Sequence, residues 1–260
     1  MVNNFFDSFL NKLEKEISSK DFLNLLKKSQ NIDSKYYQKK ISVEDLKNII
    51  QEYRSLEFLE KESKRVLILL PGNPEIVFKL GIEAIRNNVN FIIGIEDFCL
   101  AQNTILIEVI NKIIQDLRLK YKVELRNLIN DSEIIETSRN VDNTIIIGNS
   151  NLYNRLKTQI KVTLNPYGIF EVYSDSEDFE ELQEMIFEYF TQNQFENEFF
   201  DDLEFEDAVR IINKQGYKFC TILFTNDKNK IKEFKEKMEA KYVIVNKNPF
   251  KEIKFKLEIE

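Results

Sequence analysis

Three short turns carry the residues best placed to do chemistry. Pro71-Gly72-Asn73-Pro74 follows the continuous apolar run 66–70 and precedes a stretch of helical periodicity. Free backbone N–H groups at a helix start, together with the Asn73 amide, could hold a carboxylate, a phosphate or a developing oxyanion. The plainer reading is that proline and glycine turn the chain. Gly148-Asn149-Ser150-Asn151 stands in the same kind of position after an apolar run. An anion or a pyrophosphate could sit on Gly148 and Ser150, and an Asx or Ser helix cap explains the same residues equally well. Gly94-Ile95-Glu96-Asp97 ends another apolar run. Its acidic pair could accept ribose hydroxyls or simply be a solvated strand end. None of the three turns is a dinucleotide fingerprint, because each has one glycine where that motif needs three.

Much chemistry is excluded by composition. There is no histidine, which removes Ser-His-Asp and Cys-His arrangements, a histidine general base and imidazole-ligated zinc. Cys99 and Cys220 sit in apolar contexts with no histidine to activate them, so both read as buried small hydrophobes. The acidic clusters at 175–181 and 201–207 suit first turns of helices better than a divalent-cation site, and no metal site is expected. The net charge of -7, from 44 acidic and 37 basic residues of interspersed sign, gives no reason to expect nucleic acid as a partner. No apolar stretch approaches the ~20 residues of a membrane span, and the opening residues make a poor secretion signal. The expectation is a cytoplasmic protein.

The elements that must position these turns follow from periodicity. Residues 1–60 read as helices, the third of them starting at a capping box of Ser42 and Asp45. From Arg65 onward short β runs at 66–70, 89–95, near 123 and at 144–148 alternate with helical stretches. That alternation predicts an α/β fold: an open, mostly parallel sheet with helices on both faces and a helical N-terminal lead-in. A second, smaller α/β lobe is expected from residue 161, with strands at 162–164, 169–173, 220–224 and 242–245. Its first helix would start at a capping box of Ser174 and Glu177. The polar stretch 191–207 reads as a loop or irregular crossing. In the tail Ile253, Phe255, Leu257 and Ile259 alternate with charged residues, the period of a strand with one apolar face. That face would cover its own domain or a neighbouring subunit.

The order of these segments resembles the aldehyde dehydrogenase superfamily, near its glutamyl-phosphate reductases and acyl-CoA reductases. The stretch 67–97 resembles the family's first cofactor-domain unit, with Asn73 where an oxyanion-hole asparagine would be. Gly94 stands roughly where a ribose-binding lysine would be, so that contact is lost. Residues 140–157 resemble the strand, turn and helix beside the cofactor pyrophosphate, with Gly148 and Ser150 in the turn. Residues 205–250 are similar to the end of the catalytic domain, where Thr225, Asn226, Asp227 and Asn246 keep their positions. The resemblance thus implies a Rossmann-like domain at 61–160, a reduced catalytic-domain-like lobe at 161–250 and an oligomerisation strand at 251–260. It implies cofactor-binding positions at Asn73, Gly94, Gly148 and Ser150, with NAD(P) or CoA as the possible cofactors. The departures point the other way. LNPY at 164–167 has no carboxylate where the general base would be, and TQNQFENEFF at 191–200 has no cysteine where the nucleophile would be. A degenerate, catalytically inactive member is therefore expected, without catalytic residues or a bound cofactor. It would bind a ligand, regulate or serve structurally, as a homodimer or with a related full-length enzyme. The alternatives are an oxidoreductase acting on an aldehyde or acyl-CoA through an atypical site, and an unrelated α/β protein that binds a small anionic metabolite.

Overall fold

The computed structural model describes residues 3–33, 40–59, 64–95, 99–128, 130–253, 255 and 257. The chain divides into two compact units, Met1–Ile146 with Tyr153–Thr163, and Ile147–Leu152 with Leu164–Glu260. The helical lead-in belongs to the first of them. Its helices are α1 (Asn3–Ile17), α2 (Lys20–Asp33) and α3 (Val43–Arg54). In α1 the apolar residues Phe6, Phe9, Leu10, Leu13 and Ile17 recur on one helical face and are all buried. α3 starts at the expected box, in which the Ser42 hydroxyl accepts from the Asp45 N–H and the Asp45 carboxylate accepts from the Ser42 N–H.

The sheet that follows is built from β1 (Arg65–Leu70), β2 (Asn90–Ile95), β3 (Val123–Asn127), β4 (Asn143–Ile147) and β5 (Thr163–Asn165), in the order β3-β2-β1-β4-β5. β1 runs parallel to both β2 and β4, and β2 parallel to β3. The crossovers are α4 (Pro74–Arg86), α5 (Leu100–Asp116), α6 (Asp131–Ser138) and α7 (Ser150–Leu156). Right-handed crossovers that run outward from β1 in both directions put helices on both faces of such a sheet. Both faces are therefore covered, which is why β1 and β2 are continuous apolar runs rather than alternating ones. α1, α2 and α4 all pack on α5.

α5 begins without a cap of its own. Cys99, at its N-terminus, is left-handed (φ 59°) and its side chain caps nothing. The Asp33 carboxylate at the end of α2 accepts the Ala101 N–H (3.1 Å) and the Gln102 N–H (2.8 Å) instead. A buried anion thus satisfies two orphan donors and complements the helix dipole. Replacing Asp33 by alanine is expected to lower stability by about 1–2 kcal/mol, the range of a lost helix cap. An unchanged urea midpoint for that variant would show that α2 does not serve α5 in this way.

The second unit has a parallel sheet of its own, ordered β7-β6-β8-β9, from β6 (Ile169–Ser174), β7 (Glu196–Phe199), β8 (Cys220–Phe224) and β9 (Tyr242–Val245). α8 (Glu180–Asn193) covers one face, with Ile186 and Phe190 against Phe170, Val172, Ile222 and Phe224. α9 (Phe205–Gln215) and α10 (Lys228–Lys237) cover the other, with Ala208, Val209, Ile212 and Phe234 against Tyr173 and Leu223.

Three local expectations change. Residues 191–207 are not a loop: α8 continues to Asn193, β7 pairs with β6 over 196–199, and α9 begins at Phe205. β7 is a mostly polar edge strand, held by main-chain pairing with β6 and by Phe199 against the α8-side core. Ser174 does not cap a helix, because it ends β6 and its hydroxyl accepts from Gln183 Nε2 (2.9 Å), while a 3-10 turn over Glu177–Phe179 leads into α8. In the tail, Lys254, Lys256 and residues 258–260, including Ile259, lie outside the described residues. The described tail residues form no strand. Ile253 packs on the α8 side of the second sheet, the Phe255 ring stands 5.0 Å from that of Tyr167, and Leu257 is buried.

Candidate functional site

In the first unit, Asn73 is buried and caps α4. Its Oδ1 accepts from the N–H of Glu75 (2.9 Å) and of Ile76 (3.4 Å), with Pro74 as the first helical residue. Gly72 is left-handed (φ 84°) and its carbonyl accepts from Asn103 Nδ2 (2.7 Å). The PGNP turn is therefore held from both sides by asparagine amides. Gly94 lies inside β2, in register with Leu69 of β1 and Arg126 of β3. A Cβ there would come within 2.6 Å of a Leu69 methyl and 2.8 Å of a Leu128 methyl. Close packing of the two leucines thus explains this glycine. Glu96 and Asp97, the acidic pair beyond it, lie outside the described residues.

Gly148 and Ser150 belong to the second unit. Gly148 is left-handed (φ 63°), and a Cβ would lie 2.6 Å from the Tyr167 carbonyl oxygen, so conformation and space both demand glycine. Its N–H donates to the Asn165 carbonyl (3.0 Å), which ties the turn to the LNPY segment. Three of the following donors have partners within the protein. The Ser150 N–H donates to Glu196 Oε2 (2.6 Å), the Ser150 hydroxyl bonds Glu196 Oε1, and the Leu152 N–H donates to Asn149 Oδ1 (2.8 Å). Glu196 comes from β7, 46 positions along the chain. The Asn149 bond is the Asx cap that the sequence offered as one reading, and a carboxylate of the protein itself occupies the Ser150 donors that the other reading gave to an external anion.

A scan of protein-family models and a comparison with curated proteins find no match to this chain. Solved structures do match. The γ-glutamyl phosphate reductase of Thermotoga maritima superposes with a TM-score of 0.58 at 10% identity, over 95% of this chain and 83% of its own. Aldehyde dehydrogenase 21 of Physcomitrella patens, in complex with the reaction product succinate, gives 0.60 at 13%, over 96% and 79%. An engineered glycolyl-CoA reductase with bound NADP+ gives 0.56 at 7%, over 95% and 83%. The fold is aldehyde dehydrogenase-like.

Within this aldehyde dehydrogenase-like fold neither thiol is placed to react. Cys99 and Cys220 are both buried and free, and burial raises the pKa of each well above the ordinary thiol value. Asp33 adds to the effect at Cys99, and Glu171 and Glu252 add to it at Cys220. A thiol held protonated is a poor nucleophile. Phe195, Phe199 and Phe200, from the stretch 191–200 that lacks a cysteine, are used in packing. Phe195 and Phe199 pack against the α8-side core and Phe200 is part of the α9-side core.

Two carboxylates that the sequence reading passed over matter here. Glu196 was hidden in a polar stretch with no periodicity to mark it. Glu171, in β6, is 2% exposed, and one of its oxygens has no hydrogen-bond partner. Burial first, and then the charge of Glu198, push its pKa up to about 8. The available signal was a lone glutamate inside the apolar run IFEVY. At the start of α9 and α10 a cleft of about 560 Å³ is lined by Glu204, Phe205, Asp207, Asp227, Lys230 and Glu233. Among the described residues, no group of three or more Asp, Glu, Cys or His side chains converges as a metal site, and no helix is long and apolar enough to cross a membrane.

Proposed function

We propose that this chain is a catalytically inactive aldehyde dehydrogenase-like protein of the cytoplasm that works by association, in a structural or regulatory role. The observation that carries the reading is the closure of the Gly148–Ser150 turn by Glu196. A dinucleotide does not fit this arrangement. Its pyrophosphate would need the Ser150 N–H and hydroxyl, and a carboxylate already bonded to both repels a second anion. Gly94 offers no side chain to a ribose and is packed beneath two leucines. The two buried thiols and the missing histidine support the same reading, since neither a nucleophile nor an imidazole base is at hand.

Association is supported by apolar surface at the β7 edge of the second sheet, which pairs with no further strand among the described residues. Phe187 on α8 is 53% exposed, and its ring stands 6.1 Å from that of Phe199 on the edge strand β7. An unpaired strand edge beside exposed aromatic surface favours a partner. The partner proposed is a second copy of this chain or a longer protein of the same fold.

Calorimetric titration of the purified chain with NAD+, NADP+ and CoA, run beside a mass measurement in solution, tests the proposal. The expected result is no heat of binding and a mass above that of one chain. Micromolar binding of any of the three, with turnover of an aldehyde or acyl thioester, would overturn it.

A further inference from the structure

The edge strand β7 places two carboxylates on the same face of the second sheet. Glu196 bonds Ser150, and Glu198 lies beside Glu171 of β6 in the parallel register. On its other side Glu171 is in register with Thr221 of β8, which is 1% exposed and whose hydroxyl has no partner. Glu198 itself is exposed and accepts from Gln215 Nε2 (2.7 Å) at the end of α9, whose other amide atom is buried without a partner. Orphan buried atoms of Glu171 and Thr221 thus lie in register one strand in from the edge, and a third, on Gln215, belongs to the side chain that bonds Glu198. The smallest species that can reconcile a buried carboxyl with an adjacent carboxylate is a proton.

We propose that β7 is a proton-operated latch: with Glu171 protonated the strand is held against β6 and keeps Glu196 on Ser150, and with Glu171 ionised the strand lets go of both. This deepens the reading of a closed Ser150 turn and rests on it.

The strands on either side place no cation in register with Glu171, only the Thr221 hydroxyl and the Glu198 carboxylate. β7 presents Glu198 and, further along, Glu196, both acidic. β8 presents Thr221, with the Cys220 thiol on the opposite face. α9 buries only Phe205, Ala208, Val209 and Ile212 and keeps Glu206, Asp207, Arg210 and Lys214 exposed, with Arg210 paired to Asp207 (2.6 Å). α10 contributes Phe234 and Met238 to this core, and its Lys230 lies over the Tyr173 ring (5.9 Å) and is already paired with Asp175. An ionised Glu171 would therefore be an unpaired buried anion beside a second anion. Of the elements around it, β7, a four-residue edge strand that pairs with β6 alone among the described residues, yields most easily. Glu198, in contact with solvent, gives the proton a way out.

Hydrogen exchange of the residue 196–199 amides, corrected for the intrinsic effect of pH, tests the latch in the intact chain. Protection in the wild type is expected to fall at least tenfold as pH rises through about 8 and to stay constant in Glu171→Gln, which keeps the shape without the charge. Equal loss in both proteins, or none in either, would overturn the proposal. The wild type carries an independent readout should the variant fail to fold. Its infrared difference spectrum between pH 6 and pH 9 is expected to lose one protonated-carboxyl band, and absence of that band at pH 6 would also overturn the proposal. Cofactor titrations at pH 6 and pH 9 separate this result from the function proposed above. A latch that opens without any cofactor binding leaves both intact, whereas binding with turnover only at pH 9 keeps the latch and sinks the inactive reading.

Discussion

Phe170→Ala is expected to destabilise the second unit by about 3–5 kcal/mol, the cost of removing a large aromatic side chain from a fixed core. Phe170 is 1% exposed and stands at the centre of an aromatic cluster, with the rings of Phe190 at 4.5 Å, Phe195 at 5.5 Å, Phe219 at 5.8 Å and Phe250 at 6.0 Å. These neighbours come from α8, from the turn before β7, from the residue before β8 and from the 3-10 turn after β9. No single element can move to fill the space. The cavity term is therefore expected at the upper end of its range, because partial collapse would have to shift several elements together. Phe170→Leu, which keeps most of the volume, is expected to cost well under half as much. Because the chain has two compact units, urea unfolding should be followed with a probe in the second one and the shift read on its transition. A loss below about 1.5 kcal/mol for the alanine variant would mean that the cluster repacks and does not hold the sheet to α8.

What sequence could and could not disclose follows from how each feature is stabilised. β1, β2, β4, β6 and β8 are buried on both faces, so their residues form mainly apolar runs, broken within β6 by Glu171 and within β8 by Thr221, that periodicity detects. The start of α3 was legible because a capping box is a contact between residues three apart. β7 was not, since ENEF has no apolar alternation and owes its extended form to main-chain bonds with β6. The Gly148 turn was legible as a turn, because a left-handed residue pressed against a carbonyl leaves only glycine. What fills that turn was not. The Glu196 to Ser150 contact joins residues 46 apart, and no local pattern reports a long-range pairing of two polar side chains. Asp33 at the start of α5 was missed for the same reason, at a separation of 68 and 69. The alternating tail shows the converse. Its period of two is plain in the sequence, yet Ile253 and Phe255 find apolar partners in the second unit without forming a ladder. Periodicity fixes which side chains must be covered and leaves open what covers them.

The pH dependence of stability follows from the same buried glutamate. An unfolded glutamate ionises near 4.5, and Glu171 in the folded protein does so at about 8. Below pH 4.5 it is protonated in both states and folding loses nothing. Between pH 4.5 and 8 the unfolded chain gives up this proton while the folded chain keeps it. The folded state then binds more protons than the unfolded, so its stability falls as pH rises. Over the whole window the loss is on the order of 4–5 kcal/mol, at about 1.4 kcal/mol for each pH unit. Two carboxylates with the opposite shift act elsewhere. Glu124, held down by Lys122, and Asp131, held down by Arg155, contribute stability above the usual carboxylate range and lose it as pH falls through their lowered pKa values. Both are in the first unit, and neither overlaps the Glu171 window. The second unit should therefore lose stability from about pH 5 to about pH 8 and level off above that, by urea unfolding in one buffer of constant ionic strength. Glu171→Gln should remove that slope, so that the variant is more stable than the wild type at pH 9 and close to it at pH 5. If both proteins gave the same slope, another group would be taking up the proton, and Glu171 would be an ordinary, hydrated carboxylate in solution.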